Sequence, residues 1–311
     1  MNAFVFATDQ RPQNRVRGKH PAFLPLENRP LLLYVLMALD RVEAIQKITV
    51  IGPPKEVMRA VESVMFVMPF QKQIVVLEPR ETLLESLEAT VPGSGVGESG
   101  QDGLSMISDP ALYLPGNIPF VTTAEISTFI ASADMRQFDC CVSYASANAY
   151  DFLGSTQPQV STKFKTAYHL EKEAVHLGRL FLARPGQMGH PAALKKILTL
   201  FQSRTSNAPG DENPIESFLK LAGFKLEGKG SAVYPGLADL AAQTSAFLKT
   251  RVQLIQTQTG GHALPVEDGD SHRFIADHFE AWRQQIAELK SEQGEKICSI
   301  SGTVCDSEKT E

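Results

Sequence analysis

The apolar positions of this chain fall into short runs and helical stripes that alternate along its first half. Residues 2–8 form a brief apolar run closed by a polar loop, which predicts a buried strand. Residues 31–39 are almost wholly apolar and follow Asn28 and Pro30, read as a cap and a first-turn proline, so a helix is expected there. A second strand is expected over 45–52, ending at a Gly-Pro-Pro turn, and a third over 72–77. Between them, residues 55–66 put Val57, Ala60, Val61 and Val64 on one side of a helix. Residues 82–91 repeat that spacing with Leu83, Leu84 and Leu87. Such alternation predicts an α/β domain with a mainly parallel sheet and helices on both faces.

The second half is more mixed. A strand ends at Leu114, and Thr122 or Thr123 caps a helix that turns Ile126, Phe129 and Ile130 inward. Further strands are expected over 138–145, 165–170, 175–185 and 251–256, the middle two joined by a polar turn at 171–173 as a hairpin. His169 and His176 would lie near each other across that hairpin, and with no third ligand they read as ordinary strand residues. Helical stripes run over 190–203 (Leu194, Ile197, Leu198, Phe201) and 213–222 (Ile215, Phe218, Leu219, Leu221), and they mean core. Helices are also expected over 237–247 and 271–289, and a polar, disordered tail over 291–311. The domain reading is one unit over 1–290 with the hairpin inserted near 160–185.

Composition narrows the class. A chain of 311 residues can bury a sizeable core. A net charge of −5 argues against general nucleic-acid binding, and no apolar run is long enough to span a membrane. The N-terminus shows no charged region followed by an apolar one, so no signal peptide is read there. Four cysteines without zinc spacing point to reduced, non-catalytic thiols and a cytoplasmic protein. Cys140 and Cys141 are adjacent on a strand and should face opposite ways, while Cys298 and Cys305 belong to the polar tail. The glycine-rich stretch over 92–103 has no strand before it and no Lys-Ser/Thr or helix after it, so it reads as a surface loop rather than a phosphate loop.

Candidate chemistry concentrates after the first strand. The loop over 9–19 carries Arg11, Arg15, Arg17 and Lys19, with no acid after Asp9. A strand, a basic loop and a helix are a common way to meet a phosphate, although four cations on a loop can equally be a solvated edge.

Three stretches together resemble the nucleotidyltransferase family of the molybdenum-cofactor guanylyltransferases and sugar-nucleotide synthases. That family opens with Leu-Ala-Gly-Gly, a basic loop, and Pro-Lys-x-Leu-x-Pro-x-x-Gly-Lys-Pro-Leu. Here Phe6, Ala7, Thr8 and Asp9 stand at the first part, and His20 to Leu31 follow the second in spacing, with Pro21 at the usual Lys. The second motif, Gly/Ala-Asp-x-Pro followed by two apolar residues and Thr, resembles Gly116, Asn117, Ile118, Pro119, Phe120, Val121 and Thr122, with Asn117 for the metal-binding Asp. A segment of the family's Gly-Asn type is similar to Gly178 and Arg179. The third motif, a strand with Asp-Val-Asp-Thr and then a helix, resembles Leu264, Pro265, Val266, Glu267 and Asp268, with Glu267 for the second Asp.

The resemblance implies a three-layer, Rossmann-like nucleotide-diphospho-sugar transferase fold. It implies Mg²⁺-dependent transfer of a nucleoside monophosphate from a nucleoside triphosphate to an unknown phosphorylated or hydroxyl acceptor, with pyrophosphate leaving. On that reading Arg11 and Lys19 serve catalysis, Ala7, Thr8, Arg11 and Arg15 bind nucleotide, and Asn117 and Glu267 hold the metal. Asp268 and Asp270 are alternatives there, Asp270 being read as the cap of the last helix. The departures all fall on chemistry while the packing positions remain, so a catalytically degenerate, nucleotide-binding or protein-binding relative is the alternative. A homodimer through the hairpin is left open.

Overall fold

The computed structural model describes residues 1–8, 15–16, 18–80, 85–86, 109–153, 168–169, 174–184 and 236–301. Among these the central sheet has eight strands. β1 (Asn2–Phe6) sits in the middle, parallel to β4 (Lys47–Ile51) on one side and to β6 (Ala111–Pro115) on the other. β5 (Gln73–Leu77) extends the β4 side in parallel. β9 (Ala174–Ala183) is inserted antiparallel between β6 and β7 (Cys140–Ser146), and β10 (Val252–Thr257) closes that edge parallel to β7. The order is β10-β7-β9-β6-β1-β4-β5, with the short β8 (Tyr168–His169) paired to β9.

The period-two alternation of the strands divides the core between two faces. Ala3, Val5, Ile48, Val50, Leu112, Leu114, Cys141 and Leu182 point to one face. There they meet α1 (Leu31–Asp40), α2 (Pro54–Met65) and α3 (Thr123–Ser132). Phe4, Ile51, Ala111, Tyr113, Cys140 and Ala183 point to the other, where Leu248 of α4 (Leu237–Leu248) packs. The two cysteines therefore do lie on opposite faces. Burial pushes both thiols up to about 12, which leaves them un-ionised and unreactive at neutral pH.

Several boundaries differ from the sequence reading. Asn28 does not cap α1. It sits with Glu27 in a two-residue turn joining β2 (Pro25–Leu26) to β3 (Arg29–Pro30), at φ of +66° and +45° respectively. Two positive φ values in a hairpin loop match the twist of the flanking strands, and asparagine tolerates that region well. Pro30 is then the residue before the helix, and no side chain caps it. At the last helix, α5 (Gly269–Ser301), Asp268 rather than Asp270 accepts the Ser271 N–H (2.8 Å). Ser271 in turn accepts from the Asp268 N–H (2.8 Å), so the two side chains lock the turn from both ends. The same helix runs on to Ser301, where a disordered tail from residue 291 was expected. The thirty-three-residue span holds because Phe274, Ile275, Phe279 and Trp282 anchor its first half in a separate small core with Leu24, Leu26, Leu31, Phe120 and Val266.

The glycine-rich loop over 92–103, the polar turn over 171–173 and the helical stripes over 190–203 and 213–222 lie outside the described residues. So does the helix over 82–91, except for 85–86, which are helical.

Candidate functional site at the carboxyl end of the sheet

β1 is followed on one side by β4 and β5 and flanked on the other by β6, so the direction of winding reverses between β1 and β6. In open α/β sheets the crevice outside the carboxyl ends at such a reversal is where ligands bind, because the two loops diverge there. The loops at this reversal are those the sequence singles out.

Ala7 leaves β1 with its N–H bonded to Ile51 O (2.8 Å), and it is fully buried. Thr8 beside it is half-buried. Arg11 lies outside the described residues. The chain is described again at Arg15, which is exposed, and turns back on itself where Val16 and Lys19 exchange backbone hydrogen bonds of 2.9 and 3.0 Å. Val16 packs on the small core that also holds Val266 and Phe274. It comes within 4.0 Å of the point where a side chain on Gly269 would begin. That anchor sets the exposed Arg15 and Lys19 beside the start of α5.

The next loop is pinned equally tightly. The Gly116 N–H donates to Phe6 O (2.8 Å), so β6 hands the chain over directly beside the end of β1. A Cβ at Gly116 would fall 2.9 Å from Leu32 Cδ1 and 3.3 Å from Phe6 O, which is why a glycine stands there. Asn117 then pairs with Val266 through both its main chain and its side chain. The Val266 N–H donates to Asn117 O (2.8 Å), and Asn117 Nδ2 donates to Val266 O (2.6 Å). Two residues 149 positions apart in the chain are thus joined, and Glu267 follows directly.

Arg179 completes the group. It lies on β9 two residues before Phe181, which pairs with Tyr113 of β6, so it stands level with the end of β6. Its Nη2 donates to Glu267 Oε1 at 2.5 Å, with both side chains largely shielded (14% and 19% exposed). A charge-assisted bond of that length between two confined groups holds both in place.

Beneath Arg179 lies a buried polar cluster that the sequence did not disclose. His262 is wholly buried in a 3₁₀ turn (Gly261–Ala263), and its Nδ1 lies 2.9 Å from Glu125 Oε1 and 3.2 Å from Thr257 Oγ1. Its main-chain N–H also donates to Glu125 Oε2 (3.2 Å). Ser143, fully buried, accepts the Leu180 N–H (3.0 Å). A side chain at Gly178 would overlap both Ser143 Oγ and His262 Nε2, so β9 passes here only as glycine. In sequence, Thr122 and Glu125 have the spacing of a capping box. Thr122 does accept the Glu125 N–H (3.1 Å), but the carboxylate turns inward to His262 instead of back to the cap. The adjoining Gly260 and Gly261 were the available signal of a close approach: a Cβ on Gly261 would overlap Phe120 O.

A divalent metal fits this donor set poorly. Magnesium is held by charged carboxylates with substrate phosphates, in strict octahedral geometry. Among the described residues the site offers Glu267, already paired with a guanidinium, Asp268, whose Oδ1 accepts from Ser271, and one neutral amide whose NH₂ is turned to Val266 O. Among the described residues no group of three or more His, Cys, Asp or Glu side chains is arranged to hold a metal ion. His176, the histidine read earlier as ordinary, is likewise unsuited to a charged role. Burial pushes it down to about 4, and it meets the Tyr150 ring edge-on at 4.6 Å. The strand register sets His169 opposite Ala174, two positions from His176. Among the described residues no helix is long and apolar enough to cross a membrane.

A mainly parallel sheet with helices on both faces, one antiparallel strand beside the winding reversal, and a return segment pairing with the β6 loop make this an α/β fold. One solved structure shares it. A hypothetical transferase from Thermus thermophilus superposes with a TM-score of 0.57 at 17% identity, over 85% of this chain and 96% of that one. A 4-diphosphocytidyl-2C-methyl-D-erythritol synthase from Anaerococcus prevotii is similar at a TM-score of 0.46 and 11% identity, over 90% and 97% of the two chains. A CMP:2-keto-3-deoxy-manno-octonic acid synthetase solved with CTP is similar at 0.46 and 10%, again over 90% and 97%. At 17% identity the likeness to the Thermus thermophilus structure is one of fold alone. No family model matches the sequence, and no curated protein matches it.

Proposed function

We propose that this chain binds a nucleoside triphosphate in the crevice between the ends of β1 and β6 and belongs, by reaction type, with the nucleotidyltransferases. In that reaction an acceptor oxygen, from a phosphate or a hydroxyl, attacks the α-phosphorus. The α–β phosphoanhydride bond breaks and pyrophosphate takes the electron pair. Such transfers need little covalent help from a protein. They need the phosphates positioned and their charge balanced.

The reading is supported by Asn117, Arg179 and Glu267 meeting at the ends of β6 and β9 from three separated parts of the chain, while Val16 holds the loop that carries Arg15 and Lys19 against the start of α5. Ala7 and Thr8 follow β1 at the same end of the sheet, and Arg11 belongs to the same loop in sequence. Arg15 and Lys19 supply positive charge for a triphosphate whose own charge is about −4 at neutral pH.

A second reading has its own support. The Arg179–Glu267 pair engages the carboxylate that transfer chemistry would leave for a metal, which favours a relative that binds nucleotide without turning it over. The two separate in one assay series. Thermal-shift scans with GTP, CTP, ATP and UTP, each with and without Mg²⁺, should raise the melting temperature for at least one nucleotide by mass action. Pyrophosphate release in the presence of candidate acceptors then distinguishes transfer from binding alone. No shift with any nucleotide removes the nucleotide reading altogether.

A further inference from the structure

We infer that Arg179 binds phosphate in this crevice in the place of a metal ion, alongside Arg15 and Lys19, and that the site takes its nucleotide without a divalent metal. The inference rests on the nucleotide reading above and specifies how the phosphates are held.

The argument begins with occupancy of the carboxylate. Glu267 Oε1 accepts Arg179 Nη2 at 2.5 Å, and both side chains are confined within the fold. A Mg²⁺ ion on Glu267 would stand against a unit positive charge already in contact with the same carboxylate. Little water would lie between them to screen the repulsion. Asn117 offers no negative charge to compensate, and its NH₂ is engaged by Val266 O at 2.6 Å. The position between the β6 loop and the return segment therefore already holds a cation, and that cation is covalently part of β9.

Guanidinium chemistry suits the task. Its planar fork presents several N–H donors, and Glu267 engages one nitrogen, leaving the others for phosphate oxygens. The carboxylate then serves to orient the fork. The orientation is reinforced from below. Gly178 allows β9 to lie directly on Ser143 and His262, and Leu180 is tied through its N–H to Ser143 Oγ (3.0 Å), so the backbone on both sides of Arg179 is fixed. A guanidinium fixed before the ligand arrives loses little entropy on binding, which is what a cation replacing a metal must offer.

The test compares nucleotide affinity in two buffers, one with millimolar Mg²⁺ and one with excess EDTA, by isothermal titration with whichever of the four triphosphates gives a thermal shift. The expected result is a Kd in EDTA within about threefold of that in Mg²⁺. Arg179→Met should weaken binding by about tenfold or more in both buffers, in line with loss of a charge-assisted phosphate contact. Arg179→Lys, which keeps charge but loses the fork, should fall between. Glu267→Gln should weaken binding by the same factor in both buffers, because its role is to orient Arg179. Binding in Mg²⁺ that disappears in EDTA overturns the inference and leaves the nucleotide reading standing. A Glu267→Gln loss confined to the Mg²⁺ buffer does the same. No binding in either buffer overturns both. The wild-type comparison needs no variant to fold, and circular dichroism checks the three that are made.

Discussion

His262 Nδ1 and Glu125 Oε1 lie 2.9 Å apart with side-chain exposures of 0% and 1%, joining the start of α3 to the loop that carries Val266 and Glu267. Neither group has water to fall back on. Removing one leaves the other buried without its partner, a loss on the order of 3 kcal/mol. Glu125→Ala should lower the urea midpoint accordingly with an unchanged slope. A double variant with His262→Leu should recover part of the loss, since it removes both polar groups together. A Glu125→Ala protein as stable as the parent would show that the pair carries no net stability.

Gly178 and Gly18 make a controlled contrast. Alanine at Gly178 would overlap Ser143 and His262, so β9 must move, and the expected loss is about 3 kcal/mol or more, with nucleotide binding impaired as Arg179 shifts. Gly18 has φ of +78° and open space around it, so alanine there meets only the backbone penalty of about 1 kcal/mol. Equilibrium unfolding of the two variants should rank them in that order.

The His176 ring, pushed down to about 4 by burial, gives the fold an acid sensitivity. Its unfolded value is near 6.5. Between those two values the unfolded chain binds a proton that the folded chain refuses, so stability from this group is full above about 6.5 and is lost as the pH falls towards 4. The whole effect amounts to roughly 3 kcal/mol. His176→Phe should flatten the stability profile between pH 7 and pH 4 in urea titrations at several pH values. A parallel, unflattened profile would assign the acid limb to other groups.

Asn117→Asp tests what the amide does now. The variant removes the Nδ2 donation to Val266 O and sets a carboxylate against that carbonyl. The melting temperature should fall, with a loss of about 1–3 kcal/mol at neutral pH. Asn117→Ala, which avoids the repulsion, should lose less. Equal stability of all three proteins would mean that the side-chain bond does not hold the return segment.

Most of the sheet was legible in the sequence because its strands are short apolar runs with turn residues at their ends. β1, β4, β5, β7 and β10 lie within two residues of the predicted boundaries at each end, and β6 ends one residue beyond the predicted Leu114. The cap of α3 was legible for the same local reason as either Thr122 or Thr123, and Thr122 is the one that accepts the Glu125 N–H. What failed was chemistry that depends on distant partners. Nothing in the local pattern distinguishes Asn28 in a positive-φ turn from Asn28 as a cap, or Asp268 from Asp270, because the deciding bonds are set by the turn that forms. The juxtaposition of Asn117 and Glu267 was expected from motif order, whereas the Arg179 guanidinium against Glu267 and the His262–Glu125 pair cross gaps of 88 and 137 residues that no periodicity records.

The antiparallel β9 wedged between β6 and β7 imposes an order on assembly. As the chain leaves the ribosome, β1, β4, β5 and β6 can pair as soon as residue 115 is free, since each neighbours one already made. β7 emerges next but has no neighbour in that half-sheet, because its place is one strand away and the filler has not been synthesised. The sheet joins its two halves only when residues 174–183 arrive, and Arg179 arrives with them. Pulse-labelled hydrogen exchange during refolding should therefore find the β1–β4 and β1–β6 amides protected before those of β9 and β7. A protein built this way cannot present the finished crevice beside β1 and β6 on a half-folded chain, so anything that binds there waits for the far half of the molecule.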